Sequence, residues 1–442
     1  MKTWAFLKNT ASTLMTRLVI VSFTALIGII TARTLGPSGL GAFSLALVIP
    51  SLVSLFLQFG IGLANVYYIG RRKYPTDVLL GNALTMSLLT SAIVLPLYGL
   101  AIPLLLRTVA VGIQPMVLVL VGLTIPLALI GGHLSFIFLG LQDIQEYNRL
   151  RLIRDGTTLL FVVILVVVLQ TGVIGATAAV AVAWSLMIVR GFWILSRRMQ
   201  IRLGWAPDAL KDCLSLGMKG YLANLFQFFN YRLDVLLVSY FAGITALGLY
   251  GTAVTTAEML WYVPESVATV LFPKTAGSSD EEARTFTPTV TRSVFALTLL
   301  SAVLLGLFSY PLITILFGSS YDGSVLALRL LLPGAVLLAV CKVLASDLGG
   351  RGLLVYNSLA SLAGLLATIL LDLVLIPRWS IYGAAVASSI SYALSTVVTL
   401  IVYTRVSGHR TRDVLVPRRE DWDRFVTYGR RVSQLILARG ER

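Results

Sequence analysis

Long apolar runs separated by short polar links set the pattern of this chain. Hydropathy predicts twelve membrane-length helices, at about 14–34, 39–66, 78–106, 115–139, 157–171, 174–195, 213–241, 246–272, 290–317, 325–348, 353–376 and 380–404. A β-barrel would show short segments of alternating polarity instead, and none stand out. The expected fold class is an all-α polytopic membrane protein.

The link between the first two helices, Arg33-Thr-Leu-Gly-Pro-Ser-Gly-Leu-Gly-Ala-Phe-Ser-Leu-Ala46, has the chemistry of a tight helix–helix turn. Gly36 suits a left-handed conformation past a helix end, Pro37 blocks continuation, and Ser38 is a capping residue for the next helix. A related pattern returns 207 positions later, with Gly243 at Gly36, Thr245 at Ser38, Leu247-Gly248 at Leu40-Gly41 and Tyr250 at Phe43. A second correspondence, Val173–Ala179 with Ile381–Ala387, has an offset of 208. Nearly equal offsets predict a duplication: about 12 transmembrane helices in two six-helix pseudo-symmetric bundles. The expected organisation is 1–200 for the N-terminal bundle, 201–405 for the C-terminal bundle and 406–442 for a basic amphipathic tail. An even number of helices per half relates the copies by an axis along the membrane normal, the plan of several transporters with the transport path between the halves.

Breakers fall inside several spans: Pro50, Pro96, Pro126, Pro264 and the Gly131-Gly132 pair. Membrane helices tolerate them where neighbours or cavity water satisfy the freed backbone groups. The link Gly140–Gly156 reads as a cytoplasmic amphipathic connector. From Pro417 the tail places Trp422, Phe425, Val426, Val432, Leu435 and Ile436 near one helical face, with arginines elsewhere, as expected of a helix on an anionic leaflet.

Composition narrows the class. The chain is 57% hydrophobic and only 12% charged, about half the charge of a soluble domain. The net charge of +15 does not point to nucleic acid, because the cations sit in alternate links and the tail. Counted by side, 27 Lys and Arg residues face one way and 4 (Arg33, Arg107, Arg329, Arg378) the other, which predicts both termini in the cytoplasm of a multi-pass inner-membrane protein. Lys2, Lys8 and Arg17 precede a run that continues into a second helix, so the first run reads as an uncleaved helix rather than a signal peptide. Cys213 and Cys341 form no disulfide framework. His133 and His409 lack ligand-spaced partners, so neither a metal nor a cofactor is expected. His133 serves either packing or a proton relay.

Ionisable groups at membrane depth usually face a cavity or a partner. The seventh span carries Lys219, Asn224, Gln227, Asn230, Arg232 and Asp234, with Gln227 and Asn230 on one face. Arg232 and Asp234 point different ways. Counting from Gly243, Arg232 and Glu258 differ in depth by roughly 6 Å, so a structural bridge between them is one open reading. Glu258 and Glu265, with Trp261 between, share a face, as do Gln58 and Asn65 on the second span. Lys342 and Asp347 lie in the tenth span, Asn357 in the eleventh and Asp372 near that span's outer end; Arg190, near the inner end of the sixth, is expected to snorkel to the headgroups. A sugar hydroxyl taken into hydrocarbon without partners loses about 4–8 kcal/mol, and a phosphate far more. Moving a glycolipid headgroup therefore needs cations for phosphate, here Arg232, Lys219, Lys342 and the outer Arg33. It also needs amides for sugars, here Asn230, Gln227, Gln58 and Asn65. Asp234, Glu258 and Glu265 are candidates for a coupling ion.

At these residues the chain resembles the polysaccharide (O-antigen type) flippases of the multidrug/oligosaccharidyl-lipid/polysaccharide exporter superfamily. The resemblance rests on Ala32–Ala46, Asn230-Tyr231-Arg232-Leu233-Asp234, the connector after Leu139, and Leu331-Leu332-Pro333-Gly334 through Gly350-Arg351-Gly352. Its strongest part is Leu371-Asp372-Leu373-Val374-Leu375-Ile376-Pro377 followed by Tyr382-Gly383-Ala384-Ala385. It implies two bundles around a cationic cavity and alternating-access transport of a polyprenyl-pyrophosphate-linked oligosaccharide from inner to outer leaflet. The partners it implies are that lipid-linked oligosaccharide, membrane lipid, H+ or Na+ and a polysaccharide polymerase machinery, with no nucleic acid. The alternative is a cation-coupled exporter of small amphiphilic or drug-like molecules on the same fold. An enzyme would need a sizeable outer loop bearing catalytic Arg or His, and the longest outer link, around Arg107-Thr108, is about nine residues, so the expectation is a transporter without catalytic residues.

Overall fold

The computed structural model describes the backbone of residues 2–416, with side chains throughout that range except at 2–14, 219–224 and 280. The described chain is helical: α1 (Lys2–Gln58), α2 (Ile61–Arg71), α3 (Thr76–Arg107), α4 (Pro115–Gly140), α5 (Ile144–Val162), α6 (Gly172–Ser196), α7 (Pro207–Glu258), α8 (Tyr262–Ala276), α9 (Asp280–Leu307), α10 (Ser309–Leu316), α11 (Gly323–Gly350), α12 (Leu354–Ser407) and α13 (Thr411–Leu415). The expected amphipathic tail from Pro417 lies outside the described residues.

Among the described residues eight helical stretches are long and apolar enough to cross a membrane. Three of them, of 44, 52 and 54 residues, are double lengths broken by one non-helical residue: Gly36, Gly243 and Ser380. With α5, continued through a π-helical turn at Val163–Val168, they make up the twelve expected spans. Gly36 and Gly243 take φ 68°, ψ −179° and φ 87°, ψ 172°. This is extended backbone at positive φ, which essentially only glycine adopts, rather than the left-handed helical cap expected from sequence. The two turns thus share one conformation at positions 207 apart. Gly172 (φ 67°) and Ser380 (φ 51°), 208 apart, form a second matched pair. The shared backbone marks the duplication independently of side-chain similarity.

Two spans are less regular than hydropathy predicts. The second is interrupted at Phe59 and Gly60, both at positive φ, so α1 ends at Gln58 and α2 starts anew at Ile61. The eighth is interrupted by a 3-10 turn, Met259–Trp261, just before Pro264, which has no N–H to continue an α-helical ladder. The connector Gly140–Gly156 forms no separate surface helix. Asp143 caps the start of α5 by accepting from the Glu146 amide at 3.1 Å, and the connector becomes the first turns of that helix.

Contacts divide the chain into two compact units, Met1–Gly251 with Ile313–Asp322, and Thr252–Leu312 with 323–442. The division falls inside α7. In the first unit, Tyr68, Leu80, Leu134, Phe138, Leu150 and Leu195 form a hydrophobic core cluster. Glycines let backbones meet there, as in membrane bundles generally. A Cβ on Gly60 would stand 2.4 Å from the Gly217 carbonyl oxygen, bringing α2 and α7 together. In the second unit, Val340, Leu344, Leu348 and Tyr403 pack with Val414 of α13. A Cβ on Gly334 would stand 2.4 Å from Ser389 Cα, so α11 and α12 lie backbone to backbone.

Candidate functional site

The predicted polar residues fall into both units. In the first, the α7 length before Gly243 carries the densest set. Asp234 is buried and accepts a hydrogen bond from the Tyr250 hydroxyl at 2.6 Å, across the Gly243 turn. The Val235 amide also donates to it, at 2.8 Å. Asn230 is buried, Arg232 half-buried, and Gln227 exposed with its amide 3.5 Å from the Tyr231 hydroxyl. Lys219 and Asn224 lie outside the residues whose side chains are described. Phe229 meets Phe56 of α1 edge to face at 5.7 Å, which joins this polar stretch to the second span.

Gln58 and Asn65, expected on one face of the second span, are separated by the break at Phe59–Gly60. Gln58 lies over the glycine notch of α4, its amide nitrogen 3.7 Å from where a Cβ on Gly132 would stand. Asn65 is buried and accepts from the Cys213 thiol at 3.5 Å. Arg33 does not project freely. Its Nε donates to the Leu316 carbonyl at 2.9 Å and its Nη2 to the Ile315 carbonyl, at the end of α10 where carbonyls lack helical partners.

In the second unit, Lys342 and Glu265, predicted separately as a phosphate cation and an ion-coupling carboxylate, form one ion pair at 3.0 Å. Glu258, half-buried, ends α7 in this unit, whereas Arg232 belongs to the first. Arg190 pairs with Glu146 of α5 at 3.1 Å, and Glu146 also receives Arg149.

Several polar clusters went unread in the sequence. Arg154 and Asp155 form a two-point ion pair, at 2.7 and 3.1 Å, on the wall of a cavity of ≈ 270 Å³ inside the first unit. Pro50, Thr124 and Trp184 also line it, and the guanidinium lies 5.0 Å from the Trp184 ring. Asp347, wholly buried, accepts from Thr287 at 2.8 Å, Thr275 at 3.2 Å and the Arg351 Nε at 2.7 Å. Its four-residue spacing to Arg351 was the available signal. Outside the spans, Asp212 near the start of α7 receives Lys73 and, at 2.7 Å, the Tyr74 hydroxyl. Those hydrogen bonds hold the Asp212 carboxyl below the usual carboxylate range and the Lys73 ammonium above its own. Among the described residues no group of three or more His, Cys, Asp or Glu is placed to hold a metal ion.

Guanidinium and ammonium groups, carboxylates and amides thus sit on membrane-length helices. A family profile described as "Polysaccharide biosynthesis protein" matches residues 30–326. A probable low-salt glycan biosynthesis flippase, Agl15, of Haloferax volcanii is 22% identical over 397 residues, 83% of this chain and 77% of that protein. An uncharacterized membrane protein of Methanocaldococcus jannaschii, MJ1068, is 22% identical over 62% of this chain; the matched region spans only 57% of that relative's length. Among solved structures, the inward closed conformation of lipid II flippase MurJ superposes with a TM-score of 0.73 at 15% identity, covering 91% of this chain and 90% of that one. The inward-facing conformation of a multidrug resistance MATE family transporter of the MOP superfamily gives 0.69 at 16% identity, covering 89% and 98%. At such identities the likeness is one of fold: a multi-pass helical membrane protein built as two pseudo-symmetric bundles.

Proposed function

The chain belongs to the polysaccharide biosynthesis protein family, and from that premise we propose that it is a flippase for a polyprenyl-pyrophosphate-linked oligosaccharide. It carries this substrate from the inner to the outer leaflet of the cytoplasmic membrane by alternating access, with both termini in the cytoplasm. The observation that supports the reading is that each unit holds a cation inside a membrane-length helix, Arg232 on α7 and Lys342 on α11. A cation inside such a helix calls for anionic or polar company, which Glu265 gives Lys342, and a pyrophosphate is an anion that would have to cross the same depth. Asn230, Gln227, Gln58 and Asn65 offer the amide donors and acceptors that sugar hydroxyls need in place of water. The name of the Haloferax relative, a probable glycan biosynthesis flippase, supports the same substrate class.

Asp234, Glu258 and Glu265 are the candidates for coupling to H+ or Na+. Those carboxylates, with the MATE-like fold, also favour a second reading: a cation-coupled exporter of small amphiphilic molecules. The cations Arg232 and Lys342 favour the first. Deleting the gene distinguishes them. A flippase predicts that one lipid-linked glycan accumulates on the inner leaflet and its polymer is lost outside. An unchanged lipid-linked glycan pool, with raised sensitivity to amphiphilic cations, points to the exporter.

A further inference from the structure

Lys342 and Glu265 come from different helices, α11 and α8, both within membrane-length stretches. Lys342 Nζ lies 3.0 Å from Glu265 Oε1 and 4.9 Å from the centroid of the Trp261 ring. The ammonium is the deeper partner: its side chain is 13% exposed, against 37% for Glu265.

The two helices are fastened without this pair. On one side of it the Trp261 indole N–H donates to the Ala335 carbonyl at 3.1 Å, and the same ring meets Tyr392 edge to face at 5.6 Å. On the other side the Ser346 hydroxyl donates to the Ala268 carbonyl at 2.6 Å. Neutral contacts therefore bracket the charges and hold α8 on α11. The ion pair can open without separating the helices.

A deeply placed ammonium needs an anion beside it, because stripping its partner leaves an uncompensated charge. Nothing requires that the anion always be Glu265. The geometry points to an exchange, in which Glu265 neutralises Lys342 while no substrate is bound and an oxygen of a pyrophosphate group takes its place on binding. Trp261 acts as the positioning residue, because its ring face holds the ammonium while the more exposed carboxylate swings away. Such competition limits how tightly the anion is held, and the returning carboxylate helps expel it. A transporter needs this, since its site must both fill and empty. The exchange rests on the flippase reading and adds the identity of the group that substrate displaces.

The test measures binding of two probes, farnesyl pyrophosphate and inorganic pyrophosphate, to the full-length chain purified in detergent. Glu265→Gln removes the competitor and should tighten the Kd of both probes by about tenfold, while Lys342→Ala weakens both by at least as much and Lys342→Arg stays near the wild type. A Kd unchanged or weaker in Glu265→Gln, with a lowered melting temperature, overturns the exchange and leaves a structural ion pair. Tightening of inorganic pyrophosphate alone overturns the lipid-headgroup assignment. Should Lys342→Ala fail to fold, Glu265→Gln and Lys342→Arg decide the question. A wild type that binds neither probe overturns the exchange together with the flippase reading, whereas wild-type binding without tightening overturns the exchange alone.

Discussion

Gly41 and Gly248, equivalent positions of the repeat, pack backbone to backbone within the first unit. A Cβ on Gly41 would stand 2.0 Å from the Ile244 carbonyl oxygen, and one on Gly248 would stand 1.8 Å from the Pro37 carbonyl oxygen. Ile244 is itself the equivalent of Pro37, so the contact is reciprocal. Each copy of the turn presents a carbonyl to the glycine of the other. Neither glycine can gain a methyl group without moving backbone. Gly41→Ala and Gly248→Ala should therefore each destabilise by about 1–3 kcal/mol, read as a lower melting temperature in detergent. Gly36→Ala and Gly243→Ala should cost a similar amount for a different reason. No atom lies within 4 Å of their added Cβ, but alanine does not tolerate their positive φ with extended ψ. Equal melting temperatures for wild type and Gly41→Ala would show that the contact is not this tight.

Much of this architecture was legible in the sequence, and for an identifiable reason. Hydropathy, the Gly-Pro-Ser link and the 207-residue echo all report local chain properties, and the twelve spans and the matched turns follow from them. The breaks were harder to see. Ser380 bears a side chain at positive φ, so only its equivalence to Gly172 marks it. Partners across helices were harder still. Arg33 finds carbonyls more than 280 positions away, and Lys342 finds Glu265 77 positions away; no spacing rule within one helix reaches that far. Arg190 illustrates the same limit, since snorkelling was the best single-helix expectation and Glu146 was the unseen partner.

Arg33 should behave as a helix cap. Replacing it with alanine leaves the Ile315 and Leu316 carbonyls without its guanidinium and should cost about 1 kcal/mol of stability. Lysine, with one ammonium in place of the fork, should restore part of that. Substrate binding should change little in either variant. A loss of pyrophosphate binding at unchanged melting temperature would move Arg33 into the substrate path instead.

The Asp212–Lys73–Tyr74 cluster gives stability a defined pH dependence. The Asp212 carboxyl is depressed by its hydrogen bonds from Lys73 and Tyr74, so its contribution is present above the unfolded carboxylate pKa of about 4 and is lost as pH falls through the lower folded value. The Lys73 ammonium is raised by the same bond, so its contribution is present below about pH 10 and is lost as pH rises through its folded value. Asp212→Asn should lower the melting temperature at neutral pH and flatten its change at both extremes. A melting profile of Asp212→Asn parallel to that of the wild type would mean that the cluster contributes nothing.

Arg232 separates a charge requirement from a shape requirement. If its guanidinium meets phosphate, Arg232→Lys should retain a substantial part of transport while Arg232→Ala loses at least about tenfold, with similar melting temperatures for the two variants. Equal loss in both, accompanied by a lower melting temperature, would assign Arg232 to holding the structure.

The flippase reading is tested most directly with the purified chain reconstituted into vesicles that carry a polyprenyl-pyrophosphate-linked oligosaccharide. Access of an external glycan-modifying probe reports passage of the headgroup between leaflets. The protein should speed this passage well above protein-free vesicles, and Lys342→Ala and Arg232→Ala should slow it. No acceleration with the cognate lipid, in vesicles where the same preparation drives cation-coupled export of an amphiphilic dye, would contradict it.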